Sequence, residues 1–517
     1  MDTKALKNKI LELAIKGKLV PQNPNDEPVQ VLLEKIRAEK EKLIKEGKIK
    51  KEKPLPPITE DEIPFDLPKG WEWVRLGEIG RVFSGGTPNT NKKEYWENGK
   101  IPWLTPADLS SYKSKYVSNG KRFITELGLK NSSAQLIPRG AVLFSSRAPI
   151  GYVAIAKNEL CTNQGFKSCV PFIKEINEYI YYYLKYASKI INENASGTTF
   201  KEISGTEFAN LIIPLPPLNE QKRIVEKVDE LFALIDELDY EKENLKELIK
   251  LTREKALQLA IQGKLVPQDL NDEPAQVLLE KIRAEKEKLI KEGKIKKEKP
   301  LPPITEDEVP FELSKGWEWV RLGEIVFIGE NKNIHKELDL NIIVNYVDID
   351  CIDNKKYKIK EIKRKYVKEL SSRARRVLRK DFILYSLVRP YLNNIAIINE
   401  DKDNFIGSTG FVVFKPIIVD IKYIFYFLIS PYIRNYYLDL MKGFNSPSIN
   451  MEEFITTFIP LPPLNEQKRI VEKLDQLMTL CDELEAEIEK SKKDAEKLMQ
   501  AVLQEAFKGT NNIYPLT

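Results

Sequence analysis

Histidine is nearly absent from this chain and cysteine is scarce: 517 residues hold one His and four Cys. With His335 standing alone, at most one histidine-dependent catalytic site can exist, and no Ser or Cys nearby completes a triad. The residue reads both as an ordinary surface or core histidine and as a contact to a polyanion. Cys161, Cys169, Cys351 and Cys481 lie far apart with no CxxC spacing, which argues against a disulfide framework or a zinc site and for buried, reduced thiols. Also missing are the GxxxxGK[ST] phosphate loop and the GxGxxG dinucleotide fingerprint. No apolar run approaches the roughly 20 residues of a membrane span. The opening MDTKALKNKILELAIKGKLV scatters Lys and Glu where a secretory signal needs unbroken apolar sequence. The expectation is a cytoplasmic protein that touches no membrane, holds no metal and has no catalytic residue of its own.

What is present is apolar material for cores, 42% of residues, beside 31% charged residues, a composition of globular units with long solvated helical faces. The length is several times the roughly 150 residues of one domain and predicts more than one folded unit. The sequence also repeats itself. Residues 14–79 recur as 260–325, at an offset of 246 and with seven differences. IPLPPLNEQKRIVEKVDELFALIDELD at 213–239 recurs as IPLPPLNEQKRIVEKLDQLMTLCDELE at 459–485. Between these blocks lie two stretches of equal length, 80–212 and 326–458, which differ strongly but keep landmarks: SSRAP against SLVRP, TNQGF against GSTGF, YIYYYL against YIFYFL. One constant frame therefore carries two modules of the same fold and different surface. A Gly-terminated helix end recurs at Gly17, Gly263 and Gly509, so the chain starts and stops in mid-repeat. Its first segment and last helix are expected to complete a second copy of the central region in a cyclic, pseudo-two-fold molecule.

From 219 onward apolar residues alternate at spacings of four and three, the signature of a coiled-coil seam. The seam positions are Ile224, Val228, Leu231, Ile235, Leu238, Leu245 and Ile249 in one copy, and Ile470, Leu474, Leu477, Cys481, Leu484, Ile488 and Leu498 in the other. A helix of about 40 residues spans roughly 60 Å. Repeat symmetry makes an intramolecular pair antiparallel, with the modules at opposite ends of a rod. A helix packed on its own module is the plainer alternative. Ahead of each module, PVQVLLEKIRAEKEKLIKEGKIK and its copy read as a highly charged helix, followed by a Pro-rich linker, KEKPLPPITEDE.

The net charge of +5 is unevenly spread: residues 80–212 carry +7 and 326–458 carry +5, leaving −7 on the frame. This favours a polyanion at the modules and a protein partner at the frame. Base edges are read by Arg, Lys, Asn and Gln on rigid loops. Loops of the first module supply Thr87, Asn89, Asn91, Lys92, Lys93, Arg147, Asn163, Gln164, Thr198, Thr199 and Lys201. Those of the second supply Lys332, Asn333, His335, Arg389, Tyr391, Asn393, Asn394, Ser408, Thr409, Asn445, Ser446 and Ser448. Surface turns use the same residue types for backbone reasons, so each loop taken singly also reads as an ordinary turn.

LPPLNEQKRIVEKVDELFALIDELD, the preceding TTFKEIS, GWEWVRLGEI at the head of each module, and SGGTPNTNKKEYW followed by GKIPWLTPADLS together resemble the specificity subunit of type I restriction-modification systems, over essentially the whole chain. The resemblance implies an α+β fold: two target-recognition domains, 71–212 and 317–458, separated by an antiparallel coiled coil of two long helices. The remaining parts are an N-terminal segment 1–70, a central region 213–316 and a C-terminal helix 459–517. Each domain is implied to read one half of an asymmetric bipartite sequence in double-stranded DNA. The implied partners are two modification subunits, which carry S-adenosylmethionine and methylate adenine, and restriction subunits that use ATP and Mg. No cofactor is expected on this chain. The adenine-methyltransferase motif [DNS]-P-P-[YFW] is missing, since SPYI at Ser430 and RPYL at Arg389 lack its second proline. Two other readings stay open: a specificity chain for a related system whose modification and cleavage share one polypeptide, and a structural coiled-coil scaffold with two protein-binding heads.

Overall fold

Proline pairs start the long helices and glycine ends the first. In the computed structural model, which describes residues 3–511 except 52, 111, 113, 148, 196–201, 306, 307, 444 and 445, the first long helix is Leu218–Ile261 and the second Leu464–Asn511. At the start of the first, the Gln221 N–H donates to Pro217 O at 3.0 Å and its side-chain amide to Pro216 O at 2.8 Å. Gln467 does the same with Pro463 and Pro462, each at 2.9 Å, so the first i→i−4 bond of each helix and the amide of the same glutamine take up the two carbonyls of the proline pair. The first long helix stops where Gly263 takes φ +65° and the Lys264 N–H returns to Leu259 O at 2.9 Å, the left-handed cap that glycine adopts without steric cost. The chain is α+β and divides into two compact units, Met1–Glu241 with Lys490–Thr517, and Lys242–Glu489.

In the first unit, Glu72–Arg75 pairs antiparallel with Ile212–Leu215 and closes the module at its base. A five-stranded sheet follows the spatial order Gly80–Ser84, Phe166–Pro171, Val142–Ser146, Ile150–Ala156, Tyr116–Val117, and a three-stranded sheet the order Arg122–Ile124, Ile101–Leu104, Cys161–Thr162. Helix Asn177–Asn194 packs on Ile150–Ala156. Its buried Tyr179, Ile180 and Leu184 share one core with Leu6 and Ile10 of helix Thr3–Ile15 and with Ile224, Val228 and Ile235 of the long helix. Leu231 is half-buried against that core, whereas Leu238 and Leu498 are exposed. Asp229 on the long helix takes Lys115 Nζ at 2.6 Å and the Tyr182 hydroxyl, which ties the module to the helix.

The second unit repeats this plan. Glu318–Arg321 pairs with Phe458–Leu461, and two four-stranded sheets follow the orders Val326–Ile328, Phe411–Pro416, Ile383–Ser386, Ile395–Ile397 and Lys363–Tyr366, Ile343–Val347, Phe405–Ser408, Ala374–Val377. Asp475 receives Lys422 Nζ at 2.6 Å and the Tyr426 hydroxyl at 2.5 Å. Ile470 and Leu474 are buried in the module core and Leu477 is partly so. Here the two long helices run antiparallel: Lys242 and Lys246 lie 3.2 and 2.7 Å from Glu489, while Arg253 lies 2.7 Å from Asp482 and 3.3 Å from Glu485. Ile249 and Cys481 are buried and Ile488 is half-buried, but Leu245 and Leu484 are exposed. The middle of the pairing line is thus salt-bridged rather than apolar. A straight helix drifts about 20° per heptad against a 3.5-residue repeat, which turns Leu245 outward and brings Lys246 to the line.

The Pro-rich segment ahead of each module is fastened rather than loose. Buried Arg75 donates to Pro56 O (2.9 Å), Pro57 O (3.1 Å), Asn210 O (2.7 Å) and the Glu62 carboxylate (2.8 Å). Arg321 repeats this with Pro302 O at 2.7 Å and Thr456 O at 2.9 Å. A proline brings a carbonyl acceptor but no backbone N–H donor, so these segments form no regular ladder, and a guanidinium with five donors collects their carbonyls.

Candidate nucleic-acid interface

Strand polarity brings the predicted loops of the first module to one end of its sheets. Ser84 ends its strand opposite Lys167, Ser145 lies opposite Phe166, and Ser146 opposite Ile150. On the smaller sheet Leu104 ends opposite Thr162, so Asn163 and Gln164 leave at the same place. Backbone bonds then fix the loops to one another. Gly86 N–H donates to Thr162 O at 2.8 Å, Ser146 N–H to Gly165 O at 2.7 Å, and Ile203 N–H to Ser146 O at 3.1 Å. The approach is close enough that a Cβ on Gly85 would fall 1.8 Å from Asn163 O, so only glycine fits.

On this edge the Thr87 hydroxyl donates to Gln164 Oε1, and Asn163 Oδ1 accepts from the Gly165 N–H at 2.9 Å. Asn89 Oδ1 accepts from the Asn91 N–H at 3.0 Å, so it builds its loop as well as decorating it. Asn89, Asn91, Lys92 and Lys93 are exposed; Lys92 leans on the Tyr95 ring, 5.1 Å from its centre, and Lys93 lies 3.9 Å from Glu97. Arg147 and buried Lys167 share Glu202, at 3.7 and 3.6 Å. Thr198, Thr199 and Lys201 lie outside the described residues.

The second module uses the same backbone arrangement with different side chains. Leu387 N–H donates to Gly410 O at 2.9 Å and Ile449 N–H to Leu387 O at 3.0 Å, the counterparts of the Ser146 bonds. Exposed Arg389 sits in the left-handed region at φ +49°, its N–H on Pro447 O at 2.8 Å. Half-buried Tyr391 and Asn393 follow it, the latter at φ +51°, while Asn394 is buried and its carbonyl accepts from Ser386 N–H at 2.9 Å. Ser408 is also buried, its hydroxyl accepting from Gly410 N–H at 3.4 Å, and the Thr409 N–H reaches Arg373 O at 2.8 Å. Ser446 is exposed; half-buried Ser448 exchanges backbone bonds with Lys442 at 3.1 and 3.2 Å. Asn445 lies outside the described residues. Lys332 N–H donates to Arg375 O at 2.7 Å, half-buried Asn333 takes Glu337 Oε1 on its N–H at 2.8 Å, and exposed His335 has Nε2 3.4 Å from Ser371 O.

Positive charge in this module gathers where turn chemistry gives no signal. Arg364 and Lys365 on one outer strand of the second four-stranded sheet, and Arg373 and Arg375 at the other, are exposed. The runs KRK and SSRARRVLRK were the signal, and a search confined to turn formers passes over them. The four cysteines are free and buried, and burial pushes the Cys161 and Cys169 thiols up to about 12. Among the described residues no group of three or more His, Cys, Asp or Glu is placed to hold a metal ion, and no helix is long and apolar enough to cross a membrane.

Comparison with known proteins places this geometry. The family model for the type I restriction modification DNA specificity domain matches residues 68–250 and 314–491. The specificity subunit of the type I restriction enzyme EcoAI from Escherichia coli is 32% identical over 98% of this chain and 94% of its own length. That of MjaIX from Methanocaldococcus jannaschii is 36% identical over 52% of this chain and 54% of its own. A chain from a structure described under complex assembly and conformational transition of the type I R-M system superposes with a TM-score of 0.54 at 21% identity, covering 86% of this chain and 100% of that one; at that identity the likeness is one of fold.

Proposed function

This chain belongs to the family of DNA specificity subunits of type I restriction-modification systems, and from that premise we propose that each module reads one half of an asymmetric bipartite duplex target while the long helices set the unread length between the halves. The observation that carries this reading is the reading edge itself. Both modules fix three chain segments at one strand end through matching backbone bonds, Ser146 to Gly165 and Ile203 in one, Leu387 to Gly410 and Ile449 in the other. The side chains mounted there differ, with Thr87, Arg147, Asn163 and Gln164 against Arg389, Thr409 and Ser446. Equal scaffolds with unequal donors and acceptors select unequal base sequences. The frame, at −7 against +7 and +5 on the modules, is the surface for protein partners. These are two modification subunits that supply S-adenosylmethionine and methylate adenine, with restriction subunits using ATP and Mg. The cytoplasm, where host DNA lies, is the compartment the reading requires.

The test is a module exchange. Replacing residues 80–212 with the corresponding stretch of another specificity subunit, then mapping methylated adenines in a host that supplies the modification subunits, should change one half of the target and leave the other half and the gap as they were. A change in both halves would reject independent reading.

A further inference from the structure

The smaller sheet of the first module presents an arginine that lies on none of the turn-forming loops. Arg122 begins its strand opposite Trp103. Trp103 and Leu104 pair on their other side with Cys161 and Thr162, so Arg122 stands at the strand end from which Asn163 and Gln164 leave. Its guanidinium carbon lies 3.6 Å from the centre of the Trp96 ring and 5.3 Å from that of Trp103. Trp96 is held from two sides: its indole N–H donates to Asn89 O at 3.1 Å, and it meets Trp103 edge-on at 5.0 Å. Trp103 is 3% exposed and donates to Gly86 O at 2.9 Å. Arg122 itself is exposed and, among the described residues, makes no ion pair, whereas Arg75, Arg147, Arg223 and Arg253 each hold a carboxylate.

A guanidinium laid flat on an aromatic face is confined to one plane and keeps its in-plane N–H donors available. Two such donors side by side match the O6 and N7 acceptors of guanine in the major groove. A phosphate also accepts the guanidinium fork but is served as well by the point charge of a lysine, so the Arg122→Lys variant tells the two contacts apart. We propose that Arg122, positioned by Trp96, reads a guanine within the half-site of the first module. At the corresponding strand start of the second module, opposite Tyr346, the residue is Lys363, which is committed to Asp350 at 2.5 Å. The contact therefore belongs to one half-site. This assignment rests on module-by-module reading and adds to it the base class and the residue.

The experiment presents the full chain and its Arg122→Ala and Arg122→Lys variants with duplexes randomised through both half-sites, counts the bound sequences, and checks each variant by thermal melting. The wild type should enrich one guanine in one half-site. Both variants should lose that preference about ten- to hundredfold, with all other positions unchanged and the salt slope nearly so. Because Arg122→Lys keeps the charge and the aliphatic stem, it separates loss of reading from loss of fold. A uniform loss of affinity in Arg122→Ala, with a salt slope lower by about one and recovery in Arg122→Lys, would mean a phosphate contact and overturn the proposal. A wild-type pool with no enriched base would remove the premise of module-by-module reading, and the proposal with it.

Discussion

Glu220 sits at the start of the first long helix, 2% exposed, with one carboxylate oxygen on the Trp71 indole N–H at 3.0 Å and the other buried without a partner. Burial pushes its carboxyl up from 4.5 to about 7, against the smaller opposing pull of the Trp71 bond. Native Glu220 therefore keeps its proton to about pH 7, while the unfolded chain releases it near the ordinary glutamate value. Between those limits the folded state binds more protons than the unfolded one, so stability falls as pH rises. Below the window the group contributes nothing, and above it the penalty is complete. A difference of roughly 2.5 pH units at 1.36 kcal/mol each sets the penalty at about 3 kcal/mol. Glu220→Gln keeps an acceptor for Trp71 and removes the charge. In urea titrations of the full chain followed by tryptophan fluorescence, its stability relative to wild type should rise from near zero at pH 4 to about 2–3 kcal/mol at pH 8. A difference that stays flat from pH 4 to 8, or that turns against the variant as pH rises, would refute burial as the dominant influence on this carboxyl.

Inserting four residues, about one turn, into each long helix should alter the length of the unread gap and leave both half-sites unchanged when methylated adenines are mapped; altered bases with a fixed gap would remove the spacing role of the helices. Replacing Arg364, Lys365, Arg373 and Arg375 by Gln should lower the slope of log affinity against log salt by about 0.9 for each phosphate that the variant no longer neutralises, with the preferred bases unchanged. An unaltered slope in equilibrium binding would take this sheet off the DNA. Lys246 and Lys242 hold the Glu489 carboxyl down to about 2, so its contribution is complete above the ordinary glutamate value and is lost progressively as pH falls from there through about 2. With Glu489 47% exposed, screening limits Glu489→Gln to a loss of about 0.5–1 kcal/mol. That loss should shrink in 0.5 M salt in thermal melts, and a salt-independent loss would assign the effect to packing.

The sequence makes the frame legible because two near-identical copies impose the same contacts twice. Trp71 on Glu220 and Trp317 on Glu466 are both 3.0 Å bonds across a separation of 149 residues. The loops of the reading edge are legible as clusters of turn formers, since strand ends need those residue types. The Arg122–Trp96 stack is not, because its members are 26 residues apart and meet only through pairing of Arg122 with Trp103. Nor is the fastening of the Pro-rich segment, which depends on Arg75 reaching back 19 residues to Pro56. The seam misleads in its middle for a different reason. A 4-3 pattern records where leucines stand, and helical drift decides which of two neighbours, Leu245 or Lys246, faces the partner helix.

How one frame tolerates two unlike edges follows from which atoms hold the edge together. The bonds that join Ser146 to Gly165 and Ile203, and Leu387 to Gly410 and Ile449, are made by backbone N–H and C=O groups, each contributing about 1 kcal/mol net. The side chains of Ser146, Ile203, Leu387 and Ile449 are buried beneath that scaffold, whereas the exposed side chains beside them on the edge, such as Gln164 and Ser446, take no part in those backbone bonds. A change there alters a base contact by about 1–3 kcal/mol and leaves the backbone bonds as they were. The exceptions are the positions where backbone geometry itself excludes a side chain, as at Gly85 against Asn163. Substitution at Gly85 should therefore cost the module its stability, whereas substitution at Gln164, exposed on the same edge, should cost it only its preference among bases.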